Sequence, residues 1–186
     1  AFGIGGMSLY AAEAPGVTYD KINPKIKDTA RILWNIYLIF TVAETILLMF
    51  GGMNLFDALC HSFTTMATGG YSTKQASIAY WDSAYIQYVI TFFMFLAGVN
   101  FSLSYFFLKG SFKKMIFNEE FKSYGLIVLV STVVTTVGLY LTTGAGVEKA
   151  FRDSIFQVVS IVTTTGYATA DYLLWHPFLM ILMFML

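Results

Sequence analysis

The chain has 186 residues, of which 57% are hydrophobic and only 12% are charged, and its formal net charge is zero. A soluble domain carries about 25% charged residues, so this chain has too little charge to cover a water-facing surface, and it lacks the basic patch by which proteins bind nucleic acid. Its mean hydropathy of +0.67 instead indicates a membrane protein, while the single cysteine, Cys60, excludes a disulfide within the chain.

Long windows with little or no charge predict the membrane-spanning helices. The window 32–53 carries one charge, Glu44, while 83–108 and 123–147 carry none. Each window is longer than the roughly 20 residues that a helix needs to cross a bilayer. A fourth window, 172–186, is still apolar where the sequence stops, and the first residues lack the charged region of a signal peptide. Both ends are therefore expected to be internal to a longer protein.

Two shorter apolar stretches have a different character. The segments "LFDALCHSFTTM" (55–66) and "AFRDSIFQVVSIV" (150–162) would form helices of about 18 Å, against a hydrocarbon core of about 30 Å. They lead into "ATGGYS" and "TTGYAT", and such backbone is tolerated at membrane depth only where it is buried in protein or lines a wet cavity. We therefore predict re-entrant helices that dip into the membrane and return, with surface helices as the alternative.

The distribution of basic residues supports re-entrance. Eight Lys and Arg residues lie either before the first long window or after the second: Lys21, Lys25, Lys27, Arg31, Lys109, Lys113, Lys114 and Lys122. Three lie in the regions of the short helices: Lys74, Lys149 and Arg152. Because cytoplasmic loops carry an excess of basic residues, the first group is expected in the cytoplasm and the glycine turns on the outer side. A full crossing by either short helix would invert this arrangement.

The same organisation is predicted twice along the chain. The predicted segments are the end of a preceding unit (1–28), a complete unit of helix, short helix, turn and helix (29–109), a basic connector (110–121) and a second, incomplete unit (122–186). Matching Gly69 with Gly166 gives an offset of 97 residues between the units. A repeat of this length is a whole structural unit rather than a solenoid module.

The chemistry of the turns favours a monovalent cation. The C-terminal end of a helix presents about half a negative charge through its unpaired carbonyl groups, and a ring of backbone carbonyls can replace the water around a dehydrated cation. Neither turn contains Asp or Glu, the ligands that divalent cations prefer. The sequence therefore predicts a monovalent cation as the ion that binds these turns, with no covalently bound cofactor and no catalytic residue.

Four segments carry a family resemblance: "GIGGMSLYAAEAPG", "FDALCHSFTTMATGGYST", "GVNFSLSYFFLKG" and "FRDSIFQVVSIVTTTGYATADY". They resemble the membrane subunit of bacterial Trk-type potassium uptake systems, which is similar to the Ktr membrane subunits and the plant HKT transporters. The resemblance covers essentially the whole chain. It implies an all-α, multi-pass integral protein of the bacterial plasma membrane, in which four helix–pore helix–helix repeats surround one pore with pseudo-fourfold symmetry, and of which this chain holds the second repeat and part of the third.

The resemblance also implies a site and partners. The key filter glycines would be Gly69 and Gly166. The candidate cation-binding filter comprises Ala67, Thr68, Gly69, Gly70, Tyr71, Thr164, Thr165, Gly166 and Tyr167, and the carbonyls expected to hold potassium are those of Thr68, Gly69, Thr165 and Gly166. The expected partners are the lipid bilayer, a second copy of the full-length subunit and a cytoplasmic nucleotide-binding ring near "KGSFKKMIFNEEFK". The family's gate and its fourth repeat lie beyond this chain, so the chain alone is not expected to conduct.

Four candidate residues have two possible roles each. Tyr71 and Tyr167 either line the pore or pack behind the filter and hold its width. Glu44, the one acid inside a long window, is either functional, as intramembrane ionisable residues often are, or a structural partner of a neighbouring helix or pore-helix end. Asn100 either faces the pore or joins a close helix contact with Gly98 and Ser102.

Two other function classes fit the sequence less well. A secondary transporter with a midplane site between broken helices would have inverted repeats, whereas these two run the same way. An intramembrane enzyme needs an acid, a nucleophile or a metal cluster at membrane depth. His61 and Cys60 are adjacent and would point about 100° apart on a helix, so they cannot form a nucleophile–base pair with each other. Asp57 and Asp153 are expected in the first turns of the short helices, where acids stabilise the positive end.

Overall fold

The structure is a computed structural model that describes residues 26–100, 103, 116–144 and 146–186. The end of a preceding unit, predicted at 1–28, lies largely outside the described residues, as does the first half (110–115) of the basic connector predicted at 110–121. Among the residues that are described, every regular element is a helix. This confirms the predicted all-α fold class.

The first unit contains a long helix, a short helix and a third helix. Helix α1 spans Ile26–Phe50, α2 spans Leu55–Met66 and α3 spans Ala84–Ala97. Helix α2 has the predicted bounds, and its 12 residues give it a length of about 18 Å, too short to cross a bilayer. Asn54 caps α2, because its side-chain oxygen accepts a hydrogen bond from the Asp57 amide at 2.7 Å and so satisfies one of the free first-turn amides.

The second long window, 83–108, does not form one continuous helix. Helix α3 ends after 14 residues at Gly98, where a Cβ atom would lie 2.6 Å from the Thr163 Cγ2 and 2.8 Å from the Tyr124 hydroxyl oxygen. The same hydroxyl donates a hydrogen bond to the Phe95 carbonyl at 3.1 Å, which satisfies a carbonyl left free by the helix end. The prediction of one continuous helix over 83–108 was wrong. The end of α3 depends on contacts with the second unit, which a single apolar window does not reveal.

The second unit repeats the order of elements. Helix α4 spans Glu119–Thr143, α5 spans Val147–Val162 and α6 spans Pro177–Met185. The Asn118 side chain accepts hydrogen bonds from two first-turn amides of α4, and α4 ends before Gly144, whose φ of +63° is the left-handed conformation that glycine adopts at helix ends. Each unit therefore places a short helix directly after a long one.

The acidic residues at the start of the short helices differ from their predicted roles. Helix α5 begins three residues before its predicted start at 150, so Asp153 lies in its second turn. Glu148 is the acid in its first turn. The predicted capping role of Asp153 is therefore wrong. Asp57 does lie in the first turn of α2, although Asn54 is the cap.

Helix packing brings the two units together around the short helices. Helix α1 packs against α2 and α3, α3 packs against both α2 and α5, and α4 packs against α5 and α6. The long helices α1 and α4 are apolar enough to span a membrane, with mean hydropathies of 1.8 over 30–50 and 1.9 over 119–143. Large apolar side chains on α4 are exposed, such as Leu126, Leu129, Val133, Val137 and Leu141. This surface suits contact with lipid.

Candidate functional site

The two glycine-containing segments that follow α2 and α5 have the same backbone conformation. We call residues 67–73 the first loop and residues 163–169 the second loop. Their first residues, Ala67 and Thr163, both have φ −85° and ψ 0°. The next residues, Thr68 and Thr164, have φ values of +49° and +58°. The glycines two residues later, Gly70 and Gly166, have φ values of +63° and +84°.

Both loops also repeat one pattern of hydrogen bonds to the preceding helix. The Gly69 amide donates to the Thr64 carbonyl at 2.7 Å, and the Thr165 amide donates to the Ser160 carbonyl at 2.9 Å. A helix hydroxyl then binds the returning chain, since Thr64 Oγ1 donates to the Tyr71 carbonyl at 2.9 Å and Ser160 Oγ donates to the Tyr167 carbonyl at 2.7 Å. Each loop is thus bound to the last turn of its own short helix.

These equivalences correct the offset between the units from 97 to 96 residues. Gly70, and not Gly69, is the counterpart of Gly166, while Gly69 is the counterpart of Thr165. The sequence does contain this signal. Over the short helices and loops an offset of 96 matches five identical pairs: Asp57 with Asp153, Thr68 with Thr164, Gly70 with Gly166, Tyr71 with Tyr167 and Thr73 with Thr169. The offset of 97 matches only a Thr and a Gly.

The positive φ values at Thr68 and Thr164 identify strained backbone. A residue with a side chain in the left-handed region costs about 1–2 kcal/mol relative to its ordinary conformations. Such strain persists only where surrounding contacts impose it, and it concentrates at functional sites. Here the Thr68 amide donates to the Thr65 carbonyl at 3.0 Å and the Thr164 amide to the Ile161 carbonyl at 2.9 Å. The same strain at the same position in both units indicates one shared purpose.

Several carbonyl groups of the loops remain available to a ligand. Among the described residues, none donates a hydrogen bond to the carbonyl oxygens of Thr68, Gly69, Thr165 or Gly166. Gly69 and Gly166 are exposed within this chain, and unpaired backbone carbonyls are the groups that coordinate a dehydrated cation. The carbonyls of Tyr71 and Tyr167, in contrast, accept hydrogen bonds from the short helices. They mark the end of the available carbonyls in each loop.

The two loops approach each other closely. A Cβ atom at Gly70 would overlap the carbonyl oxygen of Thr165, and it would lie 2.9 Å from the Thr165 carbonyl carbon. Only glycine therefore allows this approach between the units. Beyond the loops, the Ala79 amide donates to the Ala168 carbonyl at 3.1 Å, and the Ala168 amide donates to Ser77 Oγ at 3.2 Å. The two units thus hold their loops side by side.

Tyr167 connects the second loop to the back of the first. Its side chain is 1% exposed, and its hydroxyl hydrogen-bonds to the Thr64 hydroxyl. The same hydroxyl lies 3.2 Å from the His61 carbonyl and 3.4 Å from the Tyr71 carbonyl. The Tyr167 side chain therefore packs against the first loop, while its role in holding the width of a filter stays a prediction. Tyr71 is 77% exposed within this chain.

Comparison with known proteins gives the family. The family model described as "Cation transport protein", TrkH, matches residues 1–186. The chain belongs to the TrkH family. It is 39% identical to the Trk system potassium uptake protein TrkH of Halomonas elongata over 98% of this chain and 38% of that protein. It is 40% identical to the TrkH protein of Escherichia coli over 97% of this chain and 38% of that protein.

A solved structure supports the same relationship. The crystal structure of the potassium transporter TrkH from Vibrio parahaemolyticus is similar to this chain with a TM-score of 0.83 and 33% sequence identity. The match covers 95% of this chain and 39% of that one. This TrkH-family chain therefore spans less than half the length of the relatives that it matches, and it has the helical fold of a TrkH transporter.

His61 is a structural residue beside the first loop that sequence reasoning missed. It is fully buried, and its Nδ1 lies 2.6 Å from the Asp57 carbonyl. A carbonyl can only accept, so Nδ1 carries the hydrogen, and the Nε2 atom is left to accept from the Ser72 hydroxyl at 3.0 Å. The ring also packs edge-on against Trp81 with centroids 4.9 Å apart. His61 thus binds the returning end of the first loop to the middle of α2.

Asp57 completes this attachment at the N-terminal end of α2. Its carboxylate accepts hydrogen bonds from Thr73 Oγ1 at 2.6 Å and from Asn54 Nδ2 at 2.9 Å, and it lies 3.5 Å from Lys74 Nζ. The Thr73 hydroxyl, and after it Lys74, holds the pKa of Asp57 below its ordinary value of 3.8. In the second unit burial instead raises the pKa of Asp153. The first loop is therefore anchored by an ionised carboxylate.

We expect Thr73→Val to lower the melting temperature of the purified full-length protein. The substitution removes a hydrogen bond to a charged group, which contributes about 1.5–3 kcal/mol. Because the folded-state pKa of Asp57 is depressed, this contribution is fully present above pH 3.8 and is lost as the pH falls through the lower folded-state value. We would measure melting curves of both proteins at pH 7, 5 and 3. The melting temperature of Thr73→Val should lie below that of wild type by the same amount at pH 7 and pH 5, and by a smaller amount at pH 3.

The second loop provides a matched control for this measurement. Thr169 occupies the position equivalent to Thr73, but its buried hydroxyl has no hydrogen-bond partner among the described residues. Removing a hydroxyl without a partner is nearly neutral or stabilising. Thr169→Val should therefore have a melting temperature equal to or higher than that of wild type at every pH. If Thr73→Val has the same melting temperature as wild type at pH 7, the hydrogen bond from Thr73 to Asp57 does not anchor the first loop.

The remaining candidates lie outside the loops. Glu44 is fully buried in α1, and Asn100 is half-buried just beyond the end of α3. Gly98 makes the close contact described above, while Ser102 lies outside the described residues, so both roles of Asn100 remain predictions. Within the described part of the chain, no three His, Cys, Asp or Glu side chains are grouped as metal ligands.

Proposed function

We propose that this chain is part of a potassium uptake protein and that its two loops form half of a carbonyl-lined selectivity filter. The observation that carries the proposal is the pair of equivalent loops whose carbonyls at Thr68, Gly69, Thr165 and Gly166 have no donor among the described residues. Carbonyl dipoles replace the hydration shell of a cation without a formal charge. The corrected offset adds the carbonyls of Gly70 and Thr164 to the filter, so that each loop contributes three equivalent positions.

The position and composition of the loops support the proposal. Each follows the C-terminal end of a short helix, and that end attracts cations through its partial negative charge. The loops also contain no acid, as expected for a site that selects a monovalent cation rather than a divalent one. The names of the relatives agree, since they are potassium uptake proteins.

The proposal extends to the whole protein of which this chain is a part. Four such repeats would surround one pore, and this chain would contribute the repeats at 29–109 and 122–186. The full-length subunit would act in the bacterial plasma membrane as a homodimer. A cytoplasmic nucleotide-binding ring would contact the connector at 110–121, whose basic residues also suit anionic lipid.

The test uses the full-length protein in cells that lack potassium uptake. We expect wild type to restore growth at low potassium and to take up rubidium, and we expect external potassium to inhibit this uptake more strongly than sodium does. An empty vector and membrane-expression measurements are the controls. If the protein reaches the membrane but takes up sodium and not rubidium, or neither ion, the proposed potassium function is wrong.

A further inference from the structure

Glu44 is a buried carboxyl group that the proposed filter does not use. It lies in α1 and is 0% exposed, and neither of its carboxyl oxygens has a hydrogen-bond partner among the described residues. Polar and ionisable groups at membrane depth are costly, and they are usually retained for a function. A buried carboxyl group also costs free energy unless a neighbour binds it. The position of Glu44 therefore requires a nearby polar group.

That group is the hydroxyl of Thr65, near the C-terminal end of α2. Thr65 is also 0% exposed, and its Oγ1 likewise has no partner among the described residues. Helices α1 and α2, which carry Glu44 and Thr65, pack against each other. Among the described residues, the Thr65 hydroxyl is the one side-chain donor beside the Glu44 carboxyl, although the two groups do not complete a hydrogen bond. A small rotation of either side chain, or one bridging water molecule, would complete it.

Thr65 leads directly to the strained part of the first loop. Its carbonyl accepts the Thr68 amide at 3.0 Å, and Thr68 has the positive φ of +49°. A contact that fixes the Thr65 side chain therefore also fixes the last turn of α2, where the first loop begins. In the second unit the equivalent residue is Ile161, which has no hydroxyl. The polar contact is thus particular to the first unit.

We propose that the Glu44 carboxyl and the Thr65 hydroxyl form a polar contact between α1 and α2 that positions the first loop for cation selection. Glu44 acts through Thr65 and does not touch the cation, so it is a positioning residue. The inference rests on the proposed function of the loops as a filter. A counter-charge for cations in the pore is the other role open to Glu44, and the variants below distinguish the two.

The experiment compares three variants of the full-length protein: Glu44→Gln, Glu44→Leu and Thr65→Val. Glutamine keeps a polar group of the same shape, while leucine and valine remove one half of the contact. We expect Glu44→Gln to keep the wild-type ratio of rubidium to sodium uptake. Glu44→Leu and Thr65→Val should each lower the ratio about fivefold, as expected for the loss of one hydrogen bond.

Hydrogen exchange of the purified proteins supplies a second readout that does not depend on transport. Glu44→Leu and Thr65→Val should speed amide exchange in residues 67–73, while residues 163–169 of the same molecules exchange as in wild type. Glu44→Gln should leave both loops unchanged. A merely structural role, in which α1 as a whole loosens, would instead speed exchange throughout α1 and α2.

Two outcomes overturn the inference, and two others leave the decision to one of the measurements. If Glu44→Leu keeps both the ion ratio and the exchange rate, the contact does not position the loop. If Glu44→Gln fails as fully as Glu44→Leu, a charge is required and the counter-charge role is correct. If Glu44→Leu does not reach the membrane, Thr65→Val decides alone. If wild type takes up no rubidium, the proposed function fails, while the exchange measurement still tests the positioning role.

Discussion

Replacing Gly70 with alanine should lower rubidium uptake by the full-length protein about tenfold or more. The φ of +63° at Gly70 costs a residue with a side chain about 1–2 kcal/mol, and a factor of ten in rate corresponds to about 1.4 kcal/mol. The new methyl group would also overlap the Thr165 carbonyl oxygen, one of the proposed potassium ligands. Both effects displace the same part of the filter.

Gly69→Ala is the matched control for this substitution, because it adds the same methyl group one residue away. A Cβ atom at Gly69 would lie 3.5 Å from the Tyr71 ring, an ordinary contact. Its counterpart in the second loop is Thr165, which already carries a side chain in the same conformation. Gly69→Ala should therefore take up rubidium at close to the wild-type rate. Equal losses in the two variants, or a larger loss at Gly69, would contradict the offset of 96 residues.

Tyr167→Phe should weaken the selection of rubidium over sodium about fivefold at normal membrane expression. The substitution keeps the buried ring and removes a hydroxyl that bonds to the Thr64 hydroxyl and to the backbone behind the first loop. A hydrogen bond of this kind contributes about 1 kcal/mol, and about 1.4 kcal/mol is a factor of ten. Without it the spacing between the two loops is less well held.

A control and a second variant test the hydrogen bond between the hydroxyl groups of Tyr167 and Thr64. Tyr140→Phe removes a hydroxyl from an exposed tyrosine on α4 and should leave the ion ratio unchanged. Thr64→Val removes the other partner of the Tyr167 hydroxyl, and the double variant should lose less than the sum of the single losses, since the two residues share one interaction. Additive losses would show that Tyr167 and Thr64 act separately.

Much of the fold could be predicted from local features of the sequence. The length of an apolar window decides whether a helix can cross a bilayer, and this predicted the short helix α2 with its observed bounds. The glycine and threonine content of the two segments that follow indicated unusual backbone, which the positive φ values at Gly70 and Gly166 confirm. These features depend on the lipid environment and on each residue's own dihedral preferences, so a single segment contains the information.

The errors have two causes. Matching Gly69 with Gly166 gave the wrong offset because it relied on one Thr–Gly pair, although an offset of 96 aligns five identical pairs, and the backbone dihedral angles of the two loops agree with 96. The end of α3 at Gly98 was missed because Thr163 and Tyr124, from the second unit, decide it. His61 was considered only beside Cys60, and its role as an anchor of Ser72 was not foreseen.

The sequence by itself determined that this chain is helical, that it suits a membrane and that it contains two glycine turns after short helices, because hydrophobicity and backbone preferences act within a segment. Only the tertiary structure decided that Gly70 lies against the Thr165 carbonyl and that the Tyr167 side chain packs against the first loop. Those relations join residues about a hundred positions apart in the sequence, and the packing of α3 between α2 and α5 brings them together.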